Sequence, residues 1–311
     1  MGAKAQKPAQ LSNNWPNRTL QLVVGFPAGS SPDLTARTLA EPLSKALGQT
    51  VIVVNKVGAG GNIAADFVAK AKDDHTLGLM INGNLTTAKL LNPKLTYDPL
   101  KDLQPVSLVG ISPLVLMVPN SASSSDFKSF LSAAVQAGDR WSYGSPGVGT
   151  LGHIGMELFK NKTKTQAVHV PYPGYAQVAS AMIGGQLHLS MLPPALAMAQ
   201  VKGDKLRAIG VTSSGRSLLA PDLPSMAEVG VKDFNLEIWN AVAAPKSMPT
   251  SAVNQLAGFI SEIVRSSEIR QKLFTQGWQV VGSSPEGLHR RIQSDTAQFG
   301  QIISQLKISN D

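Results

Sequence analysis

Two short stretches of this 311-residue chain combine residue types that could hold an anion. The first is "WSYGSPGVGTLGHIGMELF", Trp141 to Phe159, where Gly147-x-Gly149-x-x-Gly152 has the spacing of a dinucleotide-binding turn. A dinucleotide site also needs an acidic residue about 20 positions on for the ribose hydroxyls. Between Glu157 and Asp204 there is no Asp or Glu. What remains is a small-residue turn between a strand and a helix, where backbone N–H groups can converge on an anion, or a plain tight turn. Ser145 and Thr150 offer hydroxyl donors there, and His153 falls in the first helical turn. The second stretch, "VGFPAGSSPDLTAR", Val24 to Arg37, repeats the arrangement without the Lys-Ser/Thr of a phosphate loop, which disfavours ATP and GTP. A third glycine-rich turn, "NKVGAGGNIAAD", is read as structural, its glycines permitting positive φ before a helix.

Catalytic patterns are poor. Ser145 with His153 could form a nucleophile and base, but no orienting acid is evident. No G-x-S-x-G surrounds a serine and there is no H-E-x-x-H. The five histidines, at 75, 153, 169, 188 and 289, are scattered, and "DDHT" reads as the polar turn before a strand. With no cysteine, disulfides, thiolate metal sites and cysteine nucleophiles are excluded. These residues point to binding without catalysis, with neither metal nor cofactor.

The net charge of +8 could suit nucleic acid or an anionic ligand. The charge is spread thinly, and "KNKTK" lies at an expected helix end, where cations suit the dipole. Aromatics make up 5% of the chain, too few for base-stacking platforms, so nucleic acid is not expected. No apolar run approaches the ~20 residues that span a bilayer. Residues 1–14, "MGAKAQKPAQLSNN", lack the apolar segment of a signal peptide and read as a leader or tail.

The elements that must position the two turns alternate in type. "TLQLVVGF", "VIVVN" and "TLGLMIN" read as strands separated by helices, a βαβαβ order that implies a parallel sheet. The first helix, with Ala36, Leu39, Ala40, Leu43 and Leu47 on one face, has Asp33 as expected N-cap and Gly48 as stop, and Pro42 should kink or shorten it. Asn62 is the expected cap of the next. After residue 110 strands recur at "PLVLMVPN", "WSYGS", "AVHVPY", "QLHLSML" and "KLRAIGVT", with helices near 150–160, 174–184 and 193–202. The tail reads as two helices, one capped by Thr250, the other starting at Ser284-Pro285. Length and pattern together give two α/β domains, with ligands expected outside the carboxyl ends of the strands.

In that setting the chain resembles the solute-binding receptors of the tripartite tricarboxylate transporter family, the Bug receptors. The resemblance runs from about Trp15 to Leu306. It is carried by "WPNRTLQLVVGFPAGSSPD", "LGQTVIVVNKVGAGGNIAAD", "LTYDPLKDLQPVSLV", "YGSPGVGTLGH", "HVPYPGYAQ", "GDKLRAIGVTS", "APDLPSMAEVG" and "APKSMPTSAVNQL" in that order. It implies a two-lobed type II periplasmic binding protein, each lobe a mixed sheet flanked by helices. Residues 15–112 plus 236–311 would form one domain and 113–235 the other. Such a receptor, a monomer without cofactor, closes on a small organic carboxylate (di- or tricarboxylate, or aromatic) and hands it to a membrane permease. A sensory receptor with a signalling partner is the alternative, and a nucleotide-dependent enzyme a more remote one. The implied first grip is Phe26, Pro27, Ala28, Gly29, Ser30, Ser31 and Asp33. The implied second is Ser145, Gly147, Gly149, Thr150 and His153. Asn82, Gly83 and Asn84, with Pro171, Tyr172 and Gly174, would line the cleft.

Three departures from the family pattern bear on the ligand. The first loop reads Gly29-Ser30-Ser31-Pro32-Asp33, so hydroxyl donors are added and one backbone donor is lost. The usual Asp-Asn pair near Leu192-Pro193 is missing, which argues against an amino-acid ligand. After Trp239, Asn240 and Ala241 replace the usual aromatic and glycine.

Overall fold

The computed structural model describes residues 15–120 and 126–309; the leader reading of residues 1–14 lies outside them. The chain opens with β1 (Leu20–Val24), α1 (Ser31–Leu47), β2 (Val51–Asn55), α2 (Asn62–Ala69) and β3 (Thr76–Ile81). Two short helices follow, α3 (Asn82–Leu85) and α4 (Thr87–Leu91), then β4 (Leu103–Pro113). The chain then builds β5 (Val115–Pro119), α5 (Phe127–Ala137), β6 (Ser142–Ser145), α6 (Leu151–Thr163) and β7 (Val168–Pro171). Next come α7 (Tyr175–Ile183), β8 (Leu189–Leu192), α8 (Pro194–Lys202) and β9 (Leu206–Val211). Last are β10 (Glu237–Pro245), α9 (Thr250–Arg265), α10 (Ser267–Thr275), β11 (Gln279–Val280) and α11 (Pro285–Leu306).

These strands form two sheets, ordered β11-β4-β10-β3-β1-β2 and β7-β6-β8-β5-β9. In the first, β1 runs parallel to β2 and β3, with Leu22 opposite Val53 and Leu77, while β10 is antiparallel to β3 and β4. In the second, β6 is parallel to β7 and β8, and β5 is antiparallel to β8 and β9. The chain leaves the first sheet at Pro113, enters the second at Val115, and returns between Val211 and Glu237. Both sheets are therefore mixed and covered by helices, as two-sided burial of Leu22, Val23, Val115 and Leu116 requires.

Local signals and structure part company in places. Pro42 lies inside α1, which continues to Leu47 and stops at a left-handed Gly48. Burial of Leu39 and Leu43 holds the helix through the proline. Helix α1 starts two residues before Asp33, with Ser30 at its N-cap position. Asn62 is the first residue of α2, not its cap, and Pro249 rather than Thr250 precedes α9. Ser284 does cap α11, accepting from Gly287 N–H at 3.1 Å. The tail holds three helices, α10 being the addition. Strand β4 has no counterpart in the sequence pattern, and its ladder with β10 carries two register shifts, one beside Gly110 and one beside Pro105.

Candidate functional site

The first turn is built around a buried carboxylate. Asp33 is fully buried and accepts from Gly29 N–H at 2.8 Å, from Arg37 Nε at 2.9 Å and from Asn55 Nδ2 at 2.8 Å. Asn55 Nδ2 also donates to the Phe26 carbonyl at 2.9 Å. Burial alone would raise the Asp33 carboxyl, but the hydrogen bonds from Arg37, Asn55 and Gly29 outweigh it and hold it below the usual carboxylate range. Asp33 thus shapes the loop from Phe26 to Gly29 and delivers the start of α1. The Ser30 and Ser31 hydroxyls there are buried and have no hydrogen-bond partner in the protein.

In the second turn the polar groups serve the turn itself. The fully buried Ser145 hydroxyl donates to the Gly147 carbonyl (3.1 Å), accepts from Gly147 N–H (3.2 Å) and meets His169 Nε2 at 2.7 Å. The Thr150 hydroxyl also donates to the Gly147 carbonyl, at 2.7 Å. His153 Nδ1 accepts from Gly149 N–H at 3.2 Å, so its proton sits on Nε2. The rings of His153 and His169 stack with centroids 4.3 Å apart, and Tyr143 stacks on His169 at 4.9 Å. Burial pulls both imidazoles down to about 4, so they are neutral near pH 7. The serine pairs with His169 rather than His153, and its hydroxyl is committed to the Gly147 carbonyl and that imidazole. Among the described residues no group of three or more His, Cys, Asp or Glu could hold a metal.

A cavity of about 490 Å³ lies between the two turns, within the range that holds a small molecule. The starts of four helices border it: α1 at Ser31, α6 at Leu151, α7 at Tyr175 and α8 at Ala195. Each start brings N–H groups without intrahelical partners and the positive end of a helix dipole. No Asp, Glu, Lys or Arg is among the lining residues. Besides Ser30 and Ser31, three bordering residues hold a buried polar atom without a partner: Asn240 Oδ1, Gln276 Oε1 and Trp278 Nε1. The walls between are apolar, including Ile81, Leu151, Leu196 and Ile238.

Of the expected site residues, Phe26, Pro27, Ala28, Gly29, Ser30, Ser31, Asn82, Thr150 and Gly174 border this cleft. Gly147, Gly149, Pro171 and Tyr172 border an adjoining cavity of about 590 Å³, which Phe26 shares. Asp33, Gly83, Asn84, Ser145 and His153 line neither cavity. Asn84 ties the Gly60 carbonyl and Asn62 to α3, and Gly83 packs under the Gly149 carbonyl. Trp239 is fully buried, its Nε1 donating to Asp295 at 2.7 Å, and it also borders the cleft. Sequence reasoning did not place Gln276, Trp278, Tyr175 or Leu196 in the site. Gln276 and Trp278 lie between α10 and β11 in a segment with no local motif, and long-range contacts bring them here: the pairing of β11 with β4 and the Gln276 Nε2 hydrogen bond to the Thr38 hydroxyl at 2.9 Å.

Two helix-flanked mixed sheets with a ligand-sized cleft between them define the periplasmic binding-protein class. R. palustris Rpa4515 with adipate superposes with TM-score 0.90 at 30% identity, over 95% of this chain and 99% of that one. MatC from Rhodopseudomonas palustris with bound malate gives 0.87 at 28% identity, over 93% and 100%. Protein BugT of Bordetella pertussis is 30% identical over 294 residues, 94% of this chain and 90% of that protein. The model of the tripartite tricarboxylate transporter family receptor matches residues 35–308. The chain belongs to that family, whose members are periplasmic solute-binding receptors for transport.

Proposed function

We propose that this chain captures a small organic carboxylate between its two lobes in the periplasm and delivers it, as a monomer without catalysis, to the membrane permease of a tripartite transporter. One observation carries the reading. A cleft with no charged side chain in its wall is bordered by four helix starts and by five residues holding an unpartnered buried polar atom. Helix starts and hydroxyls can bind an anion without a counter-charge, replacing its water as the lobes close. Adipate and malate in the two similar structures support the carboxylate class. The lobes would be residues 15–112 with 236–311, and 113–235.

The test is a thermal-shift screen at neutral pH with carboxylates of graded length, aromatic carboxylates, amino acids, NAD and ATP. A ligand that binds only the folded state at 100 times its Kd adds about 2.7 kcal/mol, enough to raise Tm by a few degrees. A shift confined to carboxylates is the expected result. A shift with NAD or ATP and none with carboxylates would sink the reading.

A further inference from the structure

We infer that the site selects a carboxylate bearing a hydroxyl next to the carboxylate group, and that Asn240 is the residue that reads this hydroxyl. The inference rests on the receptor reading above. Asn240, on β10, is fully buried yet borders the cleft. Its amide orientation follows from a short chain of hydrogen bonds. The Thr35 hydroxyl donates its single proton to the Ser31 carbonyl at 3.0 Å, so it can only accept from Asn240 Nδ2, 3.1 Å away. The other amide atom, Oδ1, is therefore an acceptor, and it has no partner in the protein.

The chain also fixes where that acceptor stands. Thr35 and Ser31 lie one turn apart at the start of α1, beside the unpartnered Ser30 and Ser31 hydroxyls that would receive the carboxylate. A ligand donor reaching Oδ1 must sit close to the carboxylate it accompanies. An ammonium could donate there, but no Asp or Glu borders the cleft to offset its charge. Burying an uncompensated cation is costly, whereas a hydroxyl brings a donor without charge. Oδ1 is already buried without a partner, so a ligand hydroxyl supplies the bond it lacks, whereas a ligand without the donor leaves it unpaired, and a site built around a hydroxyl rejects such an analogue.

Matched ligands test this on the intact chain: 2-hydroxyhexanoate against hexanoate, malate against succinate, mandelate against phenylacetate, each titrated calorimetrically, with 2-aminohexanoate as the charged control. In any pair that binds, the hydroxy member should bind tighter by on the order of ten- to a hundredfold. In Asn240→Leu that ratio should fall towards one, with a ligand-free melting curve showing that the variant is folded. Equal affinity within the pairs for the unaltered chain overturns the inference, with no variant needed, as does a ratio that survives in folded Asn240→Leu. Tight binding of 2-aminohexanoate overturns the choice of hydroxyl over ammonium. If no carboxylate binds at all, the receptor reading itself fails, a distinct result.

Discussion

Ser31 and Ser145 are both serines at the edge of a small-residue turn, yet they do opposite work. The Ser145 hydroxyl is held by Gly147 and His169, and the Ser31 hydroxyl has no protein partner. Removing a donor to a charged ligand group costs about 1.5–3 kcal/mol, so Ser31→Ala should weaken carboxylate binding roughly tenfold or more and leave the ligand-free Tm nearly unchanged. Calorimetry checks this; unaltered affinity would move the carboxylate away from α1. The histidines behind the second turn give a pH signature. His153 and His169 titrate near 4 in the folded chain, against about 6.5 when unfolded. Between those values the unfolded state takes up protons that the folded state refuses. Stability is therefore fully present above about pH 6.5 and declines as the pH falls towards 4. Tm measured across that window should drop in the unaltered chain and drop less in His169→Gln; an equal slope in both would refute the imidazole origin.

Helix α1 tests how far local sequence rules reach. Pro42 removes one backbone donor from its interior, at a typical cost of about 3 kcal/mol, offset by about 1 kcal/mol from restricting the unfolded chain. Pro42→Ala should then stabilise the protein by roughly 2 kcal/mol, seen as an upward shift in the denaturant midpoint at constant slope. A lower midpoint would mean that the proline ring itself packs usefully. Most of the architecture was legible because it repeats short, local signals: "VIVVN" and "TLGLMIN" became β2 and β3, and the expected helices near 150–160, 174–184 and 193–202 became α6, α7 and α8. The two turns were legible for the same reason, since glycine and serine between a buried strand and a helix restrict what the backbone can do. What the turns' side chains contact was not. Whether a hydroxyl is free, as in Ser31, or satisfied, as in Ser145, depends on partners at His169 or Gly147 that no spacing rule supplies. Asp33 shows the same limit: expected as a helix cap and as part of the first grip, its carboxylate is the clamp that forms the loop. Asn240, Gln276 and Trp278 arrive from the far end of the chain through β10 and β11, and periodicity says nothing about such pairings.

At the scale of the whole molecule, the two sheets meet through small residues on one side of the cleft. The Thr87 hydroxyl donates to the Gly149 carbonyl at 2.6 Å, and a Cβ added to Gly83 would stand 3.1 Å from that same carbonyl. A Cβ added to Gly147 would stand 3.2 Å from Gly60 Cα, and Gly147 holds a φ of 123° that L side chains rarely adopt. On another side α11 ties the halves together, with Leu288 and Ile292 in the first sheet's core and Phe299 in the second's. In the closure proposed above, the loops move against one another while α11 stays docked. Gly147→Val separates these demands. Its side chain would meet Gly60 before the loops reach their present distance, while the cores and α11 are untouched. Backbone strain should cost about 1–3 kcal/mol of stability, leaving a folded chain. Carboxylate affinity should fall by more than tenfold, because the closed state loses its fit. Small-angle scattering with a saturating carboxylate should show the unaltered chain contracting and Gly147→Val remaining extended. Equal affinity and equal contraction in both would mean that the 145–150 turn is an ordinary tight turn and that closure, if it occurs, is carried by other contacts.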